Sequence, residues 1–457
     1  MKLVVTLLIV FTVAYCQECR LNSYRLEAKL ALDDLACKGF DIRVSHNTSY
    51  PSYEVIGCEE DAKVLKSLGF NILSSEPGKP FSERAPPTGY DNPSQLFNNF
   101  VALTQKAPAI AMLIDLNDEY NTPLTFEGRS IQALKISDNV QVDEAEPNML
   151  VVGNHHAREL ITPQLALDTA ERIIDGYLTG DTELINLVNN NQLYVMWTMN
   201  PDGLNYVWTV NDFWRKNRRP NGGSSYGVDL NRNYPFGWAF SCGGSTNPSS
   251  ETYRGPSAMS EPETQTMVAF QRDRKFVKLI DWHSYARDTR PNYGGNAQLP
   301  PPINTLFNDI GRTMADYMSY RLGASSAMGG DIHTAYHDSG TLATLLETGT
   351  AFQPSGSAMR AELVRVWPGT LYYLTLPTPV QGYVRSASTG AALQAYFDIA
   401  GLDFFYDEVR PSNPRTGYYF LWLPTGTWQV TARADGYQSK TISITVTSAG
   451  TTQDFLL

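Results

Sequence analysis

Residues 153–160, GNHHAREL, place two adjacent histidines, an arginine and a glutamate in one short stretch. His156 and Glu159 are three residues apart, and just past a strand end this spacing lets an imidazole and a carboxylate face one metal ion. His283 ends the apolar run KLIDWHS, and active sites of α/β proteins collect at such strand ends. A catalytic zinc needs three protein ligands and one open position for water. The pattern therefore indicates a candidate zinc site formed by these three residues.

Spacing alone leaves an alternative open, because most such histidine–glutamate pairs are surface polar residues. Further motifs, however, follow one another along the chain. They are HARE (156–159), NPDG (200–203), FWRKNR (213–218), VDLNRNY (228–234), SETYRGP (250–256), HSY (283–285) and LLETG (345–349). Together they resemble the zinc metallocarboxypeptidase family, which includes the pancreatic digestive enzymes and the regulatory carboxypeptidases. The resemblance covers residues 86–376.

The resemblance implies one zinc ion per chain, held by His156, Glu159 and His283. His155 is then a packing residue or a residue behind the metal ligands. Asp229 matches the family's carboxylate that orients the first zinc histidine. An acceptor of this kind fixes the tautomer of the imidazole and raises its basicity.

The resemblance also implies a general base and an oxyanion-stabilising group. Glu347 matches the family's catalytic glutamate, which takes a proton from the zinc-bound water and delivers it to the leaving amine. The alternative is a buried salt-bridge glutamate. Arg215, in FWRKNR, matches the arginine whose fixed positive charge stabilises the developing oxyanion.

An exopeptidase must also recognise a free chain end, so the expected substrates are peptide or protein C-termini. A terminal carboxylate is planar and bidentate, which suits guanidinium and amide donors. Asn231 and Arg232 match the family's carboxylate clamp, and Arg158 matches the arginine lining the neighbouring subsite.

The segment before Glu347 departs from the family pattern. Tyr336 lies eleven positions before Glu347, about half the separation of the family's mobile tyrosine. A better match aligns GGDIHTAY (329–336) with the family's segment that forms the floor of the specificity pocket. Tyr336 then matches the second, structural tyrosine of that segment. Ser325, or a residue near it, then stands where the mobile tyrosine is expected. Ile332 occupies the position that often decides specificity, and an apolar residue there suits apolar or aromatic C-terminal side chains.

The segment after His283 is more polar than the family's usual apolar wall. Arg287, Asp288 and Arg290 are its charged residues. We expect them to be exposed loop charges, because charged residues are mostly exposed. The alternative is that they reshape the specificity pocket.

The chain is expected to divide into four parts. They are a signal peptide (1–16), a prosegment (17–85), the zinc carboxypeptidase catalytic domain (86–376) and a transthyretin-like β-sandwich (379–457). Lys2 and the 12-residue apolar run after it have the form of a secretory signal, and the run is too short to span a bilayer. The linker 74–93 is rich in Pro, Ser and Gly and offers Arg84 for cleavage. We therefore expect a secreted monomer without a membrane anchor. Residues 17–85 are similar in place and texture to the prosegments of secreted family members, so the resemblance implies inhibition until the prosegment is cut; the alternative is a permanent N-terminal domain. Residues 379–457 resemble the transthyretin-like unit that follows the catalytic domain in regulatory carboxypeptidases.

The predicted fold class is α/β, with a mixed central sheet and helices on both faces, because short apolar strands alternate with longer helical patterns. The apolar runs 149–154, 192–200 and 278–284 predict buried strands, and the strict alternation at 427–432 and 441–446 predicts an antiparallel sandwich. Residues 23–35 and 61–68 have helical apolar spacing, with strand-like residues between them. The prosegment is therefore predicted to be a small α+β unit.

Composition excludes one class of partner and leaves two rival functions. The net charge is −11, with no basic stripe, which argues against nucleic acid as a partner. After signal cleavage four cysteines allow three pairings; they are Cys19, Cys37, Cys58 and Cys242. The rivals are a cell-wall muropeptide peptidase on the same scaffold and a catalytically inactive binding protein.

Overall fold

A computed structural model describes residues 21–27, 40–45, 52–57, 59–77, 88–291, 293–294, 297–325 and 327–457. The predicted signal peptide, Arg84 and three of the four predicted disulfide cysteines lie outside these residues, so the predictions about them remain predictions. Within the described ranges, no helix combines the length and apolar character needed to cross a bilayer.

Within the described residues, the N-terminal unit has a four-stranded antiparallel sheet and one helix. Its elements are β1 (Asn22–Glu27), β2 (Asp41–Ser45), β3 (Ser52–Gly57), α1 (Glu59–Ser67) and β4 (Ile72–Pro77), and the strand order is β2-β3-β1-β4. The helix predicted at 61–68 is confirmed. The helix predicted at 23–35 is wrong over 23–27, because pairing of β1 with β3 and β4 overrides its local spacing.

The central sheet has eight strands. In chain order they are β5 (Ala111–Asp115), β6 (Gln132–Ile136), β7 (Asn148–Gly153), β8 (Gln192–Met196), β9 (Lys278–His283), β10 (Asp288–Pro291), β11 (Arg321–Leu322) and β12 (Leu342–Glu347). Their spatial order is β11-β10-β12-β9-β7-β8-β6-β5. The four central strands are mutually parallel, and β6 and β10 join them antiparallel. The predicted mixed sheet is therefore confirmed.

Helices cover both faces of this sheet. They are α2 (Pro93–Lys106), α3 (Leu116–Tyr120), α4 (Ile161–Thr179), α5 (Thr182–Asn189), α6 (Pro201–Thr209), a 3₁₀ turn (Leu230–Arg232), α7 (Pro262–Arg274), α8 (Pro301–Met318), α9 (Asp331–Ser339) and α10 (Gly356–Thr375). Successive β7 side chains enter different cores, since side chains alternate across a strand. Met149 and Val151 belong to a buried cluster with residues of α2, α4, α8 and α10, whereas Leu150 and Val152 belong to a cluster with residues of α7 and α9.

The C-terminal unit consists of two small sheets. Their strands are β13 (Val380–Arg385), β14 (Tyr396–Ile399), β15 (Tyr418–Leu421), β16 (Gly426–Arg433), β17 (Lys440–Val446), β18 (Thr451–Thr452) and β19 (Phe455–Leu456). The strands predicted at 427–432 and 441–446 are confirmed as β16 and β17. Phe397 of β14 stacks on Tyr419 of β15 with ring centroids 4.2 Å apart, which joins the two sheets. The unit packs against the central sheet, where Trp422 Nε1 donates to the Val277 carbonyl at 3.0 Å.

The strand order brings three carboxyl ends together. The chain runs from β7 to β8 on one side, and β9 and then β12 lie on the other side of β7. Ligand sites in open α/β sheets form where the direction of strand addition reverses in this way. Gly153 is level with Trp282 across β7 and β9, and His283 is level with Glu347 across β9 and β12. The residues that follow β7 and the residues that end β9 and β12 therefore lie at the same edge of the sheet.

Candidate active site

The three predicted metal ligands converge at this edge. Nδ1 of His156 lies 2.9 Å from Oε1 of Glu159 and 3.0 Å from Nδ1 of His283, which in turn lies 3.0 Å from Oε2 of Glu159. All three side chains are buried. The turn from β7 into α4 depends on Gly153, because a Cβ there would lie 2.8 Å from the Thr162 carbonyl oxygen.

The hydrogen-bond partners of the two histidines leave both Nδ1 atoms as acceptors. Nε2 of His156 donates to Asp229 Oδ1 at 3.2 Å, and Nε2 of His283 donates to Asp281 Oδ2 at 2.7 Å. Two imidazole lone pairs and the Glu159 carboxylate thus face one another, an arrangement that calls for a cation between them. Nitrogen and carboxylate donors at this spacing suit tetrahedral zinc. The group fits a single zinc site.

Asp229 connects the first ligand to Arg215. Its Oδ2 accepts from Nη2 and Nε of Arg215 at 2.9 and 3.1 Å. Burial alone raises the pKa of this carboxyl, but the charges of Arg215 and Arg232 and the hydrogen bond from His156 outweigh burial and hold it well below its ordinary value. Asp229 is therefore ionised and able to hold both His156 and Arg215 in place.

A second carboxylate behind the site was not predicted from the sequence. Asp281 accepts from His283, and it also accepts from Nδ1 of His155 at 3.0 Å, whose Nε2 accepts from Tyr234 Oη at 2.8 Å. Burial, and then the charge of Asp281, raise the pKa of the neighbouring Asp331 well above its ordinary value. The signal was an aspartate within the apolar run KLIDWHS. Two residues before His283, it lies on the same face of the strand.

One cavity of about 450 Å³ opens beside the metal ligands. Among the residues predicted from the sequence, those that line it are His156, His283, Arg215, Asn231, Arg232, Ile332 and Glu347. Asn231 and Arg232 come from the 3₁₀ turn, where Asn231 Oδ1 accepts from the Asp331 amide at 3.2 Å. The structure thus gathers the predicted base, the predicted clamp and the predicted pocket residue around a single space.

The expectation that Arg287, Asp288 and Arg290 are exposed loop charges is wrong for Asp288 and Arg290, whereas Arg287 lies in the loop before β10 with its side chain 38% exposed. Asp288 and Arg290 belong to β10, which pairs with β11 and β12, and Asp288 is 2% exposed. Both residues line the cavity. Arg287 lies outside the cavity and pairs with Glu362 at 2.6 Å. Burial is tolerated because Asp288 and Arg290 pair with each other through two contacts at 2.8 and 3.2 Å.

The two alternatives for the family's mobile tyrosine concern Tyr336 and the position of Ser325. Tyr336 is buried in α9, with its ring packed edge-on against Tyr293 and Phe307. Ser325, rather than Tyr336, lines the cavity.

Arg158, predicted to line the neighbouring subsite, is not among the residues that line the cavity. It is fully buried, it lies 3.3 Å from Glu251 Oε2, and its guanidinium is 4.5 Å from the centre of the Phe352 ring. It also contacts Asp41 of β2, whose Oδ1 lies 3.5 Å from Nη1 of Arg215. The N-terminal sheet therefore reaches into the cavity.

Comparisons with known proteins agree with this site. The family model described as "Zinc carboxypeptidase" matches residues 116–355. Metallocarboxypeptidase A from Arthroderma otae is 32% identical over 221 residues, covering 47% of this chain and 52% of that protein. Zinc carboxypeptidase A 1 from Drosophila melanogaster is 36% identical over 207 residues, covering 44% and 45%. The chain spans about half the length of the curated relatives it matches.

Solved structures share the fold. Carboxypeptidase A from Helicoverpa armigera superposes with a TM-score of 0.63 at 20% identity, covering 78% of this chain and 98% of that chain. Thrombin activatable fibrinolysis inhibitor superposes with a TM-score of 0.60 at 19% identity, covering 79% and 98%. These likenesses establish the architecture, and the family match covers the motifs of the metal site and the clamp. The chain belongs to the zinc carboxypeptidase family.

Proposed function

We propose that this protein is a secreted zinc carboxypeptidase that hydrolyses the last peptide bond of peptides or proteins. The observation that carries the proposal is the single cavity shared by metal ligands, a carboxylate and a pair of clamp residues. An exopeptidase needs these groups within the reach of one substrate end. The muropeptide and binding-protein alternatives are outcomes of the test below.

In the proposed mechanism, zinc, when bound, polarises the scissile carbonyl and makes a water molecule more acidic. Glu347 takes a proton from the attacking water and passes it to the amide nitrogen as the carbon–nitrogen bond breaks. Arg215 donates to the oxygen on which negative charge develops. The water oxygen stays with the new carboxyl group, and the C-terminal residue leaves as a free amino acid.

The proposed substrate contacts lie on either side of this bond. Arg232 and Asn231 bind the terminal carboxylate, since guanidinium and amide groups donate in the plane that a carboxylate accepts. Arg158 contacts the residue before the scissile bond. These contacts restrict the enzyme to free chain ends, because an amidated end carries no charge for Arg232.

We further infer that residues 17–85 are an inhibitory prosegment. Its support is that Phe40, Asp41 and Ile42 line the cavity and that Asp41 contacts Arg158. A carboxylate at this position occupies the guanidinium groups that the substrate needs. Tyr285, beside His283, also contacts Glu54 of β3. Cleavage in the linker near Arg84 then releases the site.

The proposal also assigns a role to the remaining parts of the chain. Residues 1–16 are assigned as a signal peptide, residues 86–376 as the catalytic domain and residues 379–457 as a transthyretin-like sandwich. The two C-terminal sheets and their stacked Phe397 and Tyr419 support the last assignment.

The test is product analysis by mass spectrometry. The secreted chain is cut near Arg84 and mixed with matched peptides that end in each amino acid, either free or amidated. We expect loss of single residues from free ends only, abolished by a chelator and restored by zinc. The uncut chain and a Glu347→Gln chain are the controls. A protein that holds zinc but trims no peptide overturns the proposal, and trimming of D-configured muropeptide ends then indicates the cell-wall alternative.

A further inference from the structure

The cavity beyond the proposed carboxylate clamp has apolar and charged lining residues. The apolar residues include Ile332, Leu345 and Ala327. Asp288 and Arg290 of β10 form a polar wall, in which Arg290 is the register partner of Leu345 on β12. Ile332 by itself favours apolar substrate side chains. Whether that expectation holds depends on the charged residues of the polar wall.

Arg290 places a permanent positive charge in this wall. Its side chain is 18% exposed, and an arginine keeps its proton in proteins. Nη1 of Arg290 lies 3.2 Å from Oε1 of Glu347. The guanidinium is therefore within reach of both the proposed base and the space that the C-terminal side chain enters.

Asp288 does not offer this pocket an acceptor for a basic substrate side chain. It is engaged by Arg290, and its Oδ2 also lies 3.4 Å from Nη2 of Arg321. Two arginines thus engage Asp288, and both line the cavity. They are the charged donors at the side-chain end of the pocket.

His333 adds an independent observation from the opposite element, α9. Its Nδ1 accepts from the Gly330 amide at 3.1 Å, which places the ring proton on Nε2. The residue is 4% exposed and lines the cavity, and Nε2 has no partner among the described residues. Burial and the charge of Arg232 lower the pKa of His333 to about 3, so the ring is neutral. A buried donor left without an acceptor is costly, and a ligand oxygen would remove that cost.

We propose that this pocket selects peptides whose C-terminal residue is aspartate or glutamate, with Arg290 as the charge partner and His333 Nε2 as a second donor. The inference rests on the proposed carboxypeptidase function and names its substrate class. A side-chain carboxylate supplies an acceptor and a negative charge together. Glutamine supplies only the acceptor, and leucine supplies neither.

The test compares kcat/KM for peptides that differ only in the last residue: Glu, Asp, Gln, Leu, Phe and Lys. We expect Glu or Asp ends to be cleaved at least about 10-fold faster than Gln, Leu or Phe ends, because a site built to bind a polar group rejects analogues without it. Lys ends should be the slowest. Zinc-dependent trimming that favours Leu, Phe or Lys ends overturns this inference and leaves the proposed function standing. If no peptide is trimmed, both fail.

Two variants assign the preference to these residues. Arg290→Met should lower the Glu-to-Leu ratio of kcat/KM by about 10-fold or more, since truncation removes the charge partner. His333→Asn keeps an acceptor for the Gly330 amide, removes the Nε2 donor, and should lower the same ratio several-fold. It does not touch Glu347, so it separates specificity from catalysis. Arg287→Met, three residues before Arg290 and outside the cavity, should leave the ratio unchanged. An unchanged ratio in both pocket variants contradicts the assignment.

Discussion

Glu347 and His283 are register partners at the carboxyl ends of the adjacent parallel strands β12 and β9. The Thr348 amide donates to the His283 carbonyl at 2.7 Å and continues the ladder one residue further. The proposed base and the third zinc ligand are therefore positioned by the sheet itself. A site built on strands holds catalytic groups more precisely than a site built on loops.

The first prediction concerns Glu347→Gln, which keeps the size of the side chain and removes its basicity. We expect kcat/KM to fall by about 10³-fold, because a positioned general base contributes roughly 10²–10⁴-fold. The zinc content should stay at one ion per chain, since Glu347 is not a ligand. Steady-state kinetics and metal analysis of the same preparation check both statements. A variant that keeps wild-type kcat/KM contradicts the role of Glu347.

The second prediction concerns the clamp. Arg232→Met should raise KM for free-ended peptides by about 10–100-fold, because a charge-assisted hydrogen bond to a carboxylate is lost. Inhibition by free amino acids should weaken in parallel. Arg312→Met, an exposed change on α8, is the control and should leave KM unaltered. An unchanged KM in Arg232→Met contradicts the clamp.

The third prediction concerns Asp281, which holds the Nε2 of His283. Asp281→Asn should weaken zinc affinity by about 10–100-fold, as expected when the outer partner of a metal ligand is changed. The measurement is zinc loss to a competing chelator, followed without substrate. His155→Gln, one hydrogen bond further from the metal, should have a smaller effect. Equal zinc affinity in Asp281→Asn and the wild type would remove Asp281 from the metal site.

The strands predicted from the sequence agree with the structure where the hydrophobic pattern of a segment matches its burial. Strand β7 has a continuous apolar run at residues 149–152, because parallel strands are buried on both faces. Strand β10 has the polar sequence DTRP, and its strand character comes from pairing with β11 and β12. Hydrophobic periodicity cannot reveal such a partner strand, nor can it reveal that Asp288 and Arg290 pair with each other beside the cavity. The metal ligands were predictable from motif order, whereas the polar pocket wall was not.

The fourth prediction concerns the proposed prosegment. Asp41→Asn should weaken inhibition, because the neutral amide loses the charge that faces Arg158 and Arg215. We expect the uncut variant to show measurable activity on peptides where the uncut wild type shows little. After cleavage near Arg84 both proteins should reach the same kcat/KM, which serves as the control. Uncut variant and wild type with equal activity would exclude Asp41 as an inhibitory contact.

The last prediction concerns pH and the buried pair Glu261 and Glu263. Asn217 Nδ2 donates to Glu261 Oε2 at 2.8 Å and to Glu263 Oε2 at 3.1 Å. Burial, and then the Glu261 charge, raise the pKa of Glu263 from 4.5 to about 8. Between these values the folded protein binds more protons than the unfolded chain, so the contribution of Glu263 to the free energy of unfolding falls as pH rises.

Glu263→Gln removes this titration and keeps the shape of the side chain. We expect the free energy of unfolding of the wild type, minus that of the variant, to decline between pH 5 and 8, by at most ~1.4 kcal/mol per pH unit. Urea titrations with zinc present throughout measure it, and zinc-dependent effects cancel because both proteins share the metal site. Glu183→Gln, an exposed change on α5, should show no such decline. A pH-independent difference for Glu263→Gln would mean that Glu263 is ionised in the folded protein, with Asn217 and its surroundings compensating for two adjacent charges.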